Sequence, residues 1–169
     1  MLILFAIATY LALLIQTAVP LWFPFRALIP NLIIILTVDL GLRHHGALPA
    51  LLAFAIGYAT DAMSGTTLGM NAFLTTGVFL LTYEISRRLL VTNALLGATA
   101  VFFAVMLAGF GAIVLTSGRG SMLAINQAMP TVALQALVSA IAAPFIFAMM
   151  AGSKRMVGLP YRPERERPA

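Results

Sequence analysis

Almost all charged residues in this chain stand near the ends of six long apolar runs, and this pattern restricts the fold more than any other feature. Only 9% of the 169 residues are charged and 62% are hydrophobic, whereas soluble domains carry about 25% charged residues. Each run is close to the roughly 20 apolar residues that a helix needs to cross a bilayer. The sequence therefore predicts an all-α fold, an integral membrane bundle of six transmembrane helices.

The predicted spans cover most of the chain and form one transmembrane domain over residues 1–152. They lie at about residues 2–18, 28–42, 47–63, 68–83, 94–115 and 124–150. The remaining residues, 153–169, are basic and contain prolines, so we expect a disordered cytoplasmic tail. The first span is expected to be retained, because the N-terminus lacks the basic region and cleavage site of a signal peptide. The absence of cysteine excludes disulfides and thiolate metal sites.

The distribution of positive charge predicts the orientation. With six spans, Arg26 and Arg119 lie on one side of the membrane, and the other eight basic residues lie on the side of both termini. Because cytoplasmic loops carry the excess of Lys and Arg, both termini are expected in the cytoplasm. The net charge of +5 is thus explained by membrane topology and by contact of the basic tail with anionic lipid, not by nucleic acid.

Residues 57–72 contain three glycines and one acid at a spacing of four: Gly57, Asp61, Gly65 and Gly69. In a continuous helix they would share one face. One interpretation is a helix-packing groove that ends in a turn, with Asp61 hydrogen-bonded to backbone or to a neighbouring helix. The other is that Asp61 is a functional group, because an ionisable residue inside a membrane segment is costly. We favour the first, since no second acid, base or metal ligand stands nearby.

Two further patterns place polar residues inside the predicted spans. Asp39 and Arg43 are four residues apart, and we expect an ion pair close to the membrane surface. A polar stripe repeats every four residues in the last span and must face protein or water. Interhelical hydrogen bonding is the favoured role, and a ligand pocket is the alternative. The stripe consists of Gln127, Thr131, Gln135 and Ser139.

Motifs for catalysis, nucleotide binding and metal binding are absent from the sequence. The two adjacent histidines, His44 and His45, would point apart on a helix or strand and do not form a metal site. We therefore predict no catalytic residue, no metal and no cofactor, and a protein that is not an enzyme.

Four short motifs between residues 28 and 90 resemble the MreD family of bacterial rod shape-determining proteins. The second span opens with P-N-L-I-I-I at residues 30–35 and closes with L-G-L-R at residues 40–43. The apolar run F-A-I-G at residues 54–57 leads to Asp61 and S-G. The motif L-G-M-N-A follows at residues 68–72, with Asn71 at a position usually held by His or Asn in the family.

The resemblance implies a non-enzymatic scaffold in the inner membrane, part of the machinery that elongates peptidoglycan. The implied partners are MreC and, with it, MreB, the glycosyltransferase RodA and a class B penicillin-binding protein. The central motif then supplies helix-packing or partner-binding residues: Gly57, Asp61, Gly65, Gly69 and Asn71.

A second hypothesis is the substrate-binding membrane subunit of an energy-coupling vitamin transporter. Such subunits are similar in size and six-helix architecture, and they have a small-residue strip on the first span, here Ala8 and Ala12. On this hypothesis the polar stripe of the last span lines a ligand pocket.

Overall fold

The computed structural model describes residues 2–22, 28–44, 46–65, 67–88, 94–116 and 122–156, and within them the chain is all-helical. The prediction of an all-α fold is confirmed. Each helix overlaps one predicted span, and the largest shift is at the last end, predicted at 150 and observed at Met156. The helices are α1 (Leu2–Trp22), α2 (Leu32–Arg43), α3 (Ala47–Ser64), α4 (Met70–Arg88), α5 (Ala94–Thr116) and α6 (Met122–Met156).

Three helical segments among the described residues are long and apolar enough to cross a membrane: Ala47–Ser64, Leu95–Thr116 and Ile125–Gly152. A shorter apolar stretch, Ile7–Gln16, lies within α1. The helix α2 has only 12 residues and is about 18 Å long at 1.5 Å per residue. It begins four residues later than the predicted span, because residues 28–31 form a turn and the helix cap.

The short helix α2 is the centre of the bundle. Every residue from Ile33 to Gly41 is buried, and α2 contacts each of the other five helices. Its sequence L-I-I-I-L-T-V is apolar around the whole circumference, which is typical of a helix surrounded by protein. On one side Ile35 and Val38 pack with α5 and α6, and on the other Leu36 and Leu40 pack with α1 and α3.

The helices α3 and α4 approach each other closely at Gly57. A Cβ atom at this position would lie 2.5 Å from the Ala72 Cα atom and 2.5 Å from the Asn71 carbonyl oxygen. The absence of a side chain at Gly57 therefore lets the two backbones meet, as small residues do at membrane helix interfaces. One turn away, the Thr75 hydroxyl donates to the Ala53 carbonyl oxygen across the same interface at 2.9 Å.

The expected ion pair between Asp39 and Arg43 forms at the end of α2. Arg43 Nε donates to Asp39 Oδ1, and the Arg43 guanidinium lies 5.9 Å from the centre of the Phe147 ring. Asp39 is completely buried, whereas the Arg43 side chain is 32% exposed. The other five helices pack around α2 and enclose Asp39.

The end of α6 also differs from the predicted tail. The helix continues through residues 153–156, which the sequence assigned to the disordered segment. Residues 157–169 lie outside the described part of the chain, and so does His45.

Replacing Gly57 by alanine tests the contact between α3 and α4. We expect Gly57→Ala to lower the unfolding free energy by about 1–3 kcal/mol, because the added methyl group overpacks a backbone contact. Gly77→Ala is the matched control in α4, since a Cβ atom there meets nothing within 4 Å, and it should be neutral or stabilising by about 0.5–1 kcal/mol. The measurement is thermal unfolding in detergent, and equal midpoints for the two variants would contradict the assignment.

Candidate functional site

The helix α3 ends at Ser64 because the backbone reverses at glycine. Gly65 is the C-cap with φ +65°, and Gly69 has φ +95° just before α4. Residues with a Cβ atom rarely adopt these left-handed conformations. Residues 57–72 are therefore not one continuous helix, and Gly65 and Gly69 lie in the turn that connects α3 to α4. Gly57 and Asp61 remain on the face of α3 that meets α4.

The Asp61 side chain accepts hydrogen bonds from the beginning of α4. Its carboxylate oxygens accept from the backbone N–H groups of Gly69 at 2.9 Å, Asn71 at 3.1 Å and Ala72 at 3.2 Å. The Asn71 side-chain amide donates to Oδ1 at 2.9 Å. Asp61 is 1% exposed, so these contacts replace water around the carboxylate.

This arrangement makes Asp61 the N-terminal cap of the next helix. The first N–H groups of an α-helix have no partner within the helix, and the helix dipole makes this end attractive for a negative charge. A cap normally comes from the residue just before the helix, but here Gly69 occupies that position and has no side chain. The carboxylate of α3 supplies the missing acceptor through charge-assisted hydrogen bonds.

The geometry around Asp61 is that of a structural acceptor. A general base must lie within hydrogen-bond reach of the proton that it abstracts from a substrate. Both Asp61 oxygens instead contact α4, and the side chain is closed to solvent. The interpretation of a helix-packing motif that ends in a turn is thus the one that the contacts favour.

A second polar cluster lies at the beginning of α2. Asn31 is the N-cap, and its side-chain oxygen accepts from the Ile34 N–H group at 3.2 Å. Gln16 of α1 donates to the same oxygen at 3.3 Å. Ser139 of α6 accepts from the Asn31 backbone N–H group at 2.9 Å, and Gln135 donates to the Ile29 carbonyl oxygen at 3.4 Å. The cluster joins α1, α2 and α6.

The polar stripe of α6 is therefore divided between two environments. Ser139 is fully buried and Gln135 half-buried, and both contact the segment that leads into α2. Gln127 and Thr131 are exposed. A cavity of about 270 Å³ lies elsewhere, between α4 and α5, and none of the four stripe residues lines it. The interpretation of the stripe as the wall of a ligand pocket is not supported.

Some residues of these clusters were not assigned from sequence. Asn31 was recognised only as part of a motif, although an asparagine before an apolar run is a signal for a helix N-terminus. The contact of Gln16 with the start of α2 has no local sequence signal. Asn71 is among the predicted packing or partner-binding residues, but the sequence does not indicate Asp61 as its partner. Among the described residues, no group of three or more His, Asp or Glu gathers to hold a metal ion.

A comparison with models of known protein families identifies the family of this chain. The family model of the rod shape-determining protein MreD matches residues 1–152. The chain belongs to the MreD family. The match extends well beyond residues 28–90, where the sequence motifs were found. No curated protein and no solved structure matches the chain. Membership in MreD identifies a membrane protein with a role in rod shape determination.

Three of the four motifs that this chain shares with the MreD family lie at the two polar clusters. The motif at residues 30–35 begins with the Pro30–Asn31 cap of α2, and the motifs at residues 54–72 contain Gly57, Asp61 and the beginning of α4. The sequence features that mark this chain as MreD are thus those that terminate and join its helices.

Removing the negative charge at Asp61 should destabilise the beginning of α4. For Asp61→Asn we expect a loss of about 1.5–3 kcal/mol in unfolding free energy, because hydrogen bonds to a charged group are lost and an amide faces N–H donors. Hydrogen exchange should rise at Gly69, Asn71 and Ala72. Glu84→Gln is the control, since Glu84 is 55% exposed and lies 3.7 Å from Arg87, and its effect should be small. Unchanged exchange in α4 would contradict the capping role.

The cluster at α2 is tested through Ser139. Ser139→Ala leaves the partly buried Asn31 N–H group without its Ser139 acceptor, so we expect a loss of about 1–3 kcal/mol in unfolding free energy. Thr131→Val is the matched control on the same helix, because Thr131 is exposed. The two variants are compared by thermal unfolding in the same detergent. Equal effects would show that the hydrogen bond between Asn31 and Ser139 does not stabilise the start of α2.

Proposed function

We propose that this MreD-family protein is a non-enzymatic, six-span scaffold of the bacterial inner membrane that binds MreC. It acts within the machinery that elongates peptidoglycan in rod-shaped cells. The proposal rests on the contacts of Asp61, the carboxylate at the centre of the family motif. This side chain caps α4 and is closed to solvent. The motif then builds a rigid helix pair, which is a feature of a protein that holds others in place.

Helix lengths support six crossings. The helices α1 and α4 have 21 and 19 residues and are about 31 and 28 Å long, close to the roughly 30 Å of the hydrocarbon core. The short α2 lies inside the bundle, where the other helices replace lipid around it. Basic residues at the ends of α2, α4 and α6 then lie on one side, and the positive-inside rule places both termini in the cytoplasm. They include Arg43, Arg87, Lys154 and Arg155.

The partners follow from the family resemblance. MreC is the direct partner in the proposal, and MreB, RodA and a class B penicillin-binding protein belong to the wider complex. Gly57, Asp61, Gly65, Gly69 and Asn71 are assigned to packing within the protein. Partner contacts therefore fall on the outer faces of the helices, where large apolar side chains such as Phe73, Phe103 and Phe145 are exposed.

Co-purification tests this function directly. Tagged full-length protein is expressed together with MreC, extracted in a mild detergent and captured, and we expect MreC to be retained in a fixed ratio. An unrelated polytopic membrane protein with the same tag is the control for non-specific capture. If MreC is absent from the captured material at every detergent concentration that keeps the protein folded, the scaffold proposal is wrong.

A complementation assay separates the scaffold from an intramembrane enzyme. In rod-shaped cells that lack their own MreD, the protein should restore rod shape. For Asp61→Asn, we expect the fraction of rod-shaped cells to fall in proportion to the amounts of folded protein and of captured MreC. The reason is that Asp61 stabilises α4 and does not itself carry out chemistry. A variant that folds and retains MreC at wild-type levels, yet leaves the cells spherical, would indicate chemistry at Asp61.

A further inference from the structure

A groove with a volume of about 270 Å³ runs between α4 and α5 on the outer surface of the bundle. Its floor contains buried residues, Val78 and Thr82 of α4 and Ala104 of α5, whereas the large side chains of its rim are exposed. The rim consists of Leu81, Ile85, Leu96, Phe103 and Leu107. We name this feature the α4–α5 groove.

The side chains that line the α4–α5 groove present hydrocarbon to its interior. Two of them are threonines, and both use their hydroxyl hydrogen within their own helix. Thr82 donates to the Val78 carbonyl oxygen at 2.7 Å, and Thr99 donates to the Leu96 carbonyl oxygen at 2.9 Å. Every other lining side chain is apolar. A ligand held here must therefore be hydrocarbon, because a polar ligand would lose hydrogen bonds that the groove does not replace.

The groove has the depth of one membrane leaflet and is closed at its inner end. On α5 it extends from Leu96 to Leu107, which is about 16 Å at 1.5 Å per residue, and one leaflet of the hydrocarbon core is about 15 Å deep. One helical turn beyond Leu107 the two helices meet, since a Cβ atom at Gly111 would lie 2.6 Å from the Leu74 Cδ2 atom. The other end lies close to Ala94, the first residue of α5, and therefore close to the membrane surface.

The cross-section of the groove fits one hydrocarbon chain. A volume of about 270 Å³ over about 16 Å gives a mean cross-section of about 17 Å². A row of carbon atoms with a contact diameter of about 4 Å occupies about 13 Å², whereas a helix with a diameter of about 10 Å occupies about 80 Å². A transmembrane helix would also continue through both leaflets, but this groove ends before Gly111. The shape therefore favours an acyl chain over a partner helix.

A positive charge stands at the open end of the groove. Helical spacing places Arg88, the last residue of α4, on the same face as Leu81 and Ile85. Arg87 is two residues from Ile85 and points to another side of the helix, where its guanidinium lies 5.7 Å from the centre of the Tyr83 ring. Of the two arginines, Arg88 is thus the one in register with the groove, and basic residues at the membrane surface attract anionic headgroups.

We propose that the α4–α5 groove binds one acyl chain of an anionic phospholipid, and that the headgroup phosphate of this lipid lies at Arg88. The chain enters at the surface end, covers the floor at Thr82 and Ala104, and stops where α4 and α5 meet at Gly111. The bound chain supplies the packing contacts that these two helices lack along the groove. The site is independent of binding to MreC, so a failure of either proposal leaves the other standing.

Native mass spectrometry tests the acyl-chain site. Full-length protein is reconstituted in nanodiscs with equal amounts of phosphatidylglycerol and phosphatidylcholine and is then released into a mild detergent. We expect the wild type to retain one phospholipid, predominantly phosphatidylglycerol. Ala100→Phe places a ring in the groove and should remove most of the retained lipid, whereas Ala55→Phe, the same change at an exposed position of α3, should leave it in place.

A second filling variant guards against misfolding of the first. Thr99 is exposed, so Thr99→Phe fills the groove from its rim and should unfold at the wild-type temperature while losing the lipid. Retention of the two lipids in equal amounts by the wild type would show ordinary solvation by the bilayer and would overturn the site. Undiminished retention in every filling variant that folds would overturn it as well.

The two arginines test the position of the headgroup. Arg88→Gln should lower the ratio of retained phosphatidylglycerol to phosphatidylcholine about fivefold, the factor that one basic residue contributes near an anionic surface. Arg87→Gln is the matched control, because Arg87 points away from the groove, and it should change the ratio much less. Equal effects of the two variants would overturn the placement of the phosphate at Arg88.

Discussion

The hydrogen bonds from the beginning of α4 to Asp61 are the interaction on which the connection between α3 and α4 depends. A helix that starts inside a membrane protein must find acceptors for its first N–H groups, because hydrocarbon supplies none. The residue before α4 is a glycine, which the reversal of the chain requires, so the acceptor must come from elsewhere. A carboxylate on the preceding helix satisfies three backbone donors at once.

The glycines of the motif help Asp61 to reach the first N–H groups of α4. Gly57 brings α4 close enough to α3 for Asp61 to reach it, and Gly65 and Gly69 turn the chain within a few residues. Side chains also cap the start of α2. Asn31 caps its own helix, and Gln16 of α1 and Ser139 of α6 form hydrogen bonds with Asn31. Polar residues in this family member thus fix the ends of helices whose packing is otherwise apolar and only weakly directional.

The two polar clusters, around Asp61 and around Asn31, are structural parts of the bundle. The polar groups of the two clusters are paired within the bundle, so these groups are not available for a substrate.

The sequence by itself determined the helices and their breaks. Apolar runs, glycine turns and the asparagine cap are local signals, because backbone hydrogen bonds and steric limits act over a few residues. The tertiary structure alone decided which residues became neighbours. It buried Asp39 by surrounding a 12-residue α2, brought Asp61 to the beginning of α4, and divided the α6 stripe into a buried and an exposed half. These outcomes depend on packing between segments far apart in the chain, and a periodic pattern within one helix does not specify which of its faces meets which neighbour.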